Sequence, residues 1–211
     1  MKKITFIFLL FVFSVPSFSQ SIDTYGIKLG LGLSNHKWEY NTSPSFNVNW
    51  DNNYGITARA FVDISFLSFL NVEGEIGYVP KGVKDKIPIT TTSQPDGTGK
   101  YIDVNNRLNY LSISLLAKYK YNLELFTPYI IFGPEYNYLL SKQIYQGFEI
   151  IYDKFRKNLW GFTVGVGSEI KLLPINLLIE YRYSRDLTNS YELSTIDIKN
   201  YSHTFLIGVE L

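Results

Sequence analysis

From Ile22 onward the chain alternates apolar and polar residues with a period of two, and no long window after Gln20 shows apolar residues at helical spacing. The pattern predicts an all-β protein. Eight runs carry it, at residues 22–34, 54–66, 71–80, 108–121, 127–140, 157–171, 175–187 and 201–211. All exceed the roughly five or six residues usual in globular strands and match the roughly 9–11 that a tilted strand needs to cross a bilayer.

The connections take turns in length. Those at 35–53, 81–107, 141–156 and 188–200 are long, and those at 67–70, 122–126 and 172–174 are short. Outer-membrane barrels show this asymmetry, because external loops are free to grow while periplasmic turns stay tight. An even strand number also brings both termini to the periplasmic side.

Successive side chains of a strand point to opposite sides, so each run divides into two faces. One face is apolar throughout, as in Tyr25, Ile27, Leu29, Leu31, Leu33, in Trp160, Phe162, Val164, Val166 and in Phe205, Ile207, Val209, Leu211. The other carries glycines and charges of both signs, among them Lys28, Arg59, Asp63, Glu73, Glu75, Lys118, Lys120, Glu169, Glu180 and Arg182. A soluble lipocalin-like barrel would turn the apolar face inward. Here the glycines share the polar face, where a narrow barrel has least room, and Tyr or Trp lies toward the ends of the apolar runs, as in interfacial girdles. The expectation is an eight-stranded antiparallel up-and-down transmembrane β-barrel with a charged, side-chain-filled lumen. Glu73 and Glu75 are expected to answer Lys118, Lys120 or Arg59, since buried charges need partners.

The first segment differs from the rest. Lys2 and Lys3 precede an apolar run from Ile4 to Val15, then Pro16 and the triplet Ser17, Phe18, Ser19. This is the order of a secretory signal peptide, expected to occupy residues 1–19 and to leave a single domain at 20–211. Its loss removes two of the 20 Lys+Arg that face 19 Asp+Glu and leaves the mature chain at about −1. So even a balance offers no footprint for nucleic acid, and no nucleic-acid partner is expected. The absence of cysteine excludes a disulfide scaffold, a thiolate metal site, a cysteine nucleophile and a lipoprotein anchor.

Candidate chemistry is sparse. With two histidines, a histidine-rich metal site is excluded, and neither a metal nor another cofactor is expected. His36, with Ser34 two residues before it, is expected on the external side, and His203 adjoins Ser202; loop or interfacial roles are the first reading of both. The alternative is a lipid-modifying barrel enzyme that uses a histidine with a serine and a carboxylate near the outer leaflet. No nucleotide-binding glycine motif and no H-E-x-x-H is present. The external segments retain alternation: His36, Trp38, Tyr40 and Phe46, Val48, Trp50 flank a tip at 41–45, and Gln94, Pro95, Asp96, Gly97 form a turn between short alternating pieces. Trp38 and Trp50 are the candidate binding residues, with packing of the two on each other as the competing reading. The function expected is that of a monomeric, non-enzymatic barrel with outer-membrane lipid around it and a protein partner at its external loops.

A resemblance adds to this reading. Tyr110, Leu111, Ile113, Leu115, Leu116, Lys118 and Tyr119, then Pro128, Tyr129, Gly133, then Gly165, Gly167, Glu169, and finally Glu180, Arg182, Tyr183, Leu187, Thr188, Asn189 together resemble the PorT-like outer-membrane β-barrel family. The resemblance implies an outer-membrane location, typically in Bacteroidota. For the family's namesake it implies a part in type IX protein secretion, and hence a secretion complex as a partner.

Overall fold

The computed structural model describes residues 22–40, 50–93, 95–172, 174–192 and 196–211, so the signal-peptide reading at 1–19 and the tip at 41–45 lie outside the described residues. Eight strands follow one another: β1 (Ile22–Tyr40), β2 (Asp51–Leu67), β3 (Leu70–Pro88), β4 (Tyr101–Lys120), β5 (Phe126–Gln143), β6 (Asn158–Leu172), β7 (Ile175–Asp186) and β8 (Ile196–Glu210). A single helical turn, α1 (Glu149–Tyr152), sits between β5 and β6. Each strand pairs with its sequence neighbours, and β1 pairs antiparallel with β8, so the sheet closes as a barrel with no free edge.

The apolar face points outward. Leu29, Leu31, Ile113, Trp160, Val166, Ile179 and Ile207 are all exposed, as lipid contact requires. The opposite face fills the lumen, where Lys28, Asp63, Glu73, Lys118 and Arg182 have no solvent exposure. Amid these charges lies a small apolar cluster of Phe61, Leu116, Tyr129, Ile131 and Leu178. Two glycines make the tight interior passable. A Cβ on Gly167 would lie 2.5 Å from the Tyr129 ring, and one on Gly30 would lie 1.9 Å from the Phe205 carbonyl oxygen.

The strands are longer than the sequence reading on the external side. Residues 81–107, expected as a loop, are mostly a β3–β4 hairpin paired as far as Pro88 opposite Tyr101, and β1 runs on to Tyr40. The reason is physical. Above the lipid an outward side chain need not be apolar, so the alternation no longer marks an outer face while backbone pairing continues. The short periplasmic connections stay as expected, with β2 ending at Leu67 and β3 starting at Leu70.

Candidate functional site at the extracellular mouth

The lumen is closed by layered ion pairs. At mid-height Lys28 Nζ lies 2.6 Å from Glu73, 3.0 Å from Glu75 and 3.2 Å from Glu180. Arg182 pairs with the same three carboxylates. Toward the periplasm Lys118 meets Asp63 at 2.8 Å and Glu169 at 2.9 Å, and Lys120 meets Glu169 at 3.0 Å. Toward the outside Arg59 meets Glu135 at 3.2 Å and Lys81 meets Asp186 at 2.8 Å. Glu73 and Glu75 are thus answered by Lys118 and Arg59, as expected, and also by Lys28 from β1 and Arg182 from β7. Asp63, Glu169 and Glu210 converge closely enough to suggest a cation site, yet the ammonium groups of Lys118 and Lys120 already occupy the approach. Charge neutralisation within the wall is the plainest account of this arrangement.

Above the outermost ion pairs an apolar cap fills the mouth. Leu108, Leu139, Leu159 and Ile198 form its base, and Trp38, Tyr152, Phe155 and Tyr191 its body. Tyr152 and Phe155 stack with centroids 4.5 Å apart, and Tyr191 meets Phe155 edge-on at 6.0 Å. The segment around α1 supplies these rings because Phe148, Tyr152 and Phe155 recur at spacings of four and three, one face of a helical turn. That spacing was the one signal in the sequence that could have found the cap.

Trp38 points inward and is buried, while Trp50 is half-buried, with the two indoles 5.7 Å apart and Phe148 edge-on to Trp50. Both candidate tryptophans therefore belong to one aromatic group. Among the described residues, the indole Nε1 atoms of Trp38 and Trp50 and both ring nitrogens of His36 are buried without a hydrogen-bond partner. Such groups are uncommon in folded proteins.

His36 is the residue that sequence reasoning placed wrongly. It is not a loop or interfacial side chain: it faces the interior, buried, with Tyr152 and Phe155 centroids 6.2 and 5.9 Å from its ring. Burial, and then the nearby Lys81 ammonium, push its pKa down to about 3, so the ring is neutral at pH 7. Burial likewise pushes the Tyr152 phenol up. His203 does lie on the outer wall, its Nδ1 2.7 Å from the Tyr181 hydroxyl. Among the described residues neither histidine ring hydrogen-bonds to a serine or a carboxylate.

Beside the cap, where the outer ends of β7, β8 and β1 meet, is an open groove of about 480 Å³. Trp38, Trp50, Tyr201, Arg185, Lys199 and Lys37 line it. The last four were not among the sequence candidates.

Residues 5–211 match the family model of the outer membrane protein beta-barrel domain. Solved structures with the same fold include the outer membrane protein OprG from Pseudomonas aeruginosa, 11% identical, at a TM-score of 0.50 over 91% of this chain and 97% of that one. Neisserial surface protein A is 14% identical, at a TM-score of 0.49 over 89% of this chain and 96% of that one. Ail, the attachment invasion locus protein of Yersinia pestis, is 12% identical, at 0.43 over 90% of this chain and 100% of that one. No curated protein sequence matches the chain. With nearly its whole length matched, the chain belongs to the outer membrane protein beta-barrel domain family, and its place is the outer membrane.

Proposed function

We propose that this outer-membrane barrel is non-conducting and non-catalytic and captures a protein partner outside the cell through its extracellular end. One observation carries the reading: the wall continues above the lipid as paired strands that hold a packed aromatic cap, in which, among the described residues, the indole N–H groups of Trp38 and Trp50 are unpaired. Loops held on a rigid scaffold commonly carry binding, and tryptophan is enriched among binding hot spots. A secretion complex is the finer form of this proposal, resting on the PorT-like resemblance of the chain. The competing reading, a lipid-modifying enzyme, would need a histidine within reach of a serine and a carboxylate; the surroundings of His36 and His203 favour the binding role.

Crosslinking and pull-down from native outer membranes tests the proposal. The full-length protein should capture one recurring partner. Trp50→Ala, or replacement of 86–104 by a tight turn, should lose that partner while keeping the heat-dependent gel mobility of a closed barrel. Variants that insert normally and still capture the same partner would move the site to the periplasmic turns or the wall.

A further inference from the structure

The outward residues at the β7–β8–β1 seam fall into rows fixed by strand register. Tyr183 and Leu33 both pair with His203, forming one row; Arg185 and Asn35 both pair with Tyr201, forming the next; Lys37 pairs with Lys199 above that. Each row stands about 7 Å farther along the strand than the one below, two residues at roughly 3.4 Å each. The lowest row is aromatic. Tyr183 and Tyr201 both pack on His203, with centroids at 5.2 and 6.4 Å, directly above lipid-facing Phe205 and Ile207. Aromatic rows of this kind mark the boundary between acyl chains and headgroups. The cationic rows therefore stand at headgroup height, facing the lipid and not the lumen.

No carboxylate among the described residues balances the charge of Arg185 or Lys199. Every lumen cation has a carboxylate partner, whereas among the described residues neither Arg185 nor Lys199 makes an ion pair. Lys199 stands directly opposite Lys37. Asn35, which also lines the groove, donates its amide to the Trp50 carbonyl at 2.7 Å and to Asn52 at 3.0 Å. Arg185 offers a planar fork of donors suited to phosphate, Lys199 a compact point charge, and Tyr201 a ring between them on which a sugar can stack. We infer that this groove binds a phosphorylated sugar of an outer-leaflet glycolipid, its phosphate held by Arg185 and Lys199 and its acyl chains lying on the apolar wall below. The shared chemistry is a phosphate monoester, and the lipid is favoured over a soluble ion because the groove is also lined by Tyr183 and His203, the row next to lipid-facing Phe205. The groove shares Trp38 and Trp50 with the cap, but Arg185 and Lys199, which hold the phosphate, lie outside it.

The test uses the full chain folded in detergent, with bound lipid counted by native mass spectrometry. The probes are a diphosphorylated disaccharide glycolipid, the same glycolipid with its phosphates removed, and inorganic phosphate as competitor. Wild type should retain one equivalent of the phosphorylated form and at least tenfold less of the dephosphorylated one. Arg185→Gln with Lys199→Gln should lose at least tenfold in retention at unchanged heat-dependent mobility, and Arg185→Lys with Lys199→Arg should keep most of it. Equal retention of both lipids, or undiminished retention by the double glutamine variant, overturns the inference. Displacement of the lipid by equimolar inorganic phosphate also overturns it, leaving only a site for free anions.

Discussion

Lys28 Nζ on β1 lies 2.6 Å from Glu73 Oε1 on β3, a contact that reaches over β2 on the lumen side. Both side chains are fully buried. Glu73, Glu75 and Glu180 all depend on Lys28 together with Arg182, so removing the ammonium leaves three carboxylates short of positive charge. Lys28→Met should therefore cost about 3–5 kcal/mol, the usual penalty for breaking a buried pair from one side. The check is the temperature at which the compact gel band converts to the unfolded one. Adding Glu73→Gln to Lys28→Met should recover part of the loss, and a double variant no better than the single one would show that the network acts otherwise.

The same network predicts electrical silence. Ion pairs at three heights span a lumen that eight strands leave just wide enough for side chains. In planar bilayers the protein should give no stable single-channel steps, and porin-like steps from the wild type would contradict the lumen described above.

Gly167 gives a third test. The Tyr129 ring sits where its Cβ would be, and that position lets the Tyr129 hydroxyl donate to Glu180 at 2.8 Å. Gly167→Ala should displace the ring and cost about 1–3 kcal/mol, as overpacking does. Pairing it with Tyr129→Phe should add little, because the hydrogen bond is already lost. A fully additive double variant in urea unfolding would argue against this coupling.

Acid should loosen the cap through His36. Its folded pKa of about 3 lies below the ordinary imidazole value of 6.5, so below pH 6.5 the unfolded ring takes a proton that the folded ring refuses. Stability from this group is present above pH 6.5 and is lost as pH falls toward 3. At pH 5 the loss is about 2 kcal/mol, at 1.36 kcal/mol per pH unit. Ring carbon shifts of His36 should stay flat from pH 8 to 5 in NMR, and His36→Phe should shrink the acid sensitivity of the cap residues in hydrogen exchange. Titration of the His36 ring near pH 6.5 would mean that the cap is open to water.

The wall was legible in the sequence and the mouth was not. Leu29 and Lys28 face different solvents one residue apart, and that difference is written in the residue types themselves. Above the lipid its meaning is lost: Lys37 and Lys199 face outward, Trp38 and Ile198 inward, so the alternation that persists there no longer says which face is outside. His36 was misplaced for this reason. Alternation persisted there with the strand pairing, but without lipid outside it no longer named the face.

What the sequence determined by itself is the barrel: strand number, which face meets lipid, the charged interior and the outer-membrane location, because each follows from local alternation and connection length. Tertiary structure alone decided the rest. The pairing of β1 with β8 brings Asn35 and Lys37 beside Tyr201 and Lys199, and the folding back of α1 lays Tyr152 and Phe155 over His36. These neighbours are far apart in the chain, and only closure of the ring sets the register that makes them a groove and a cap.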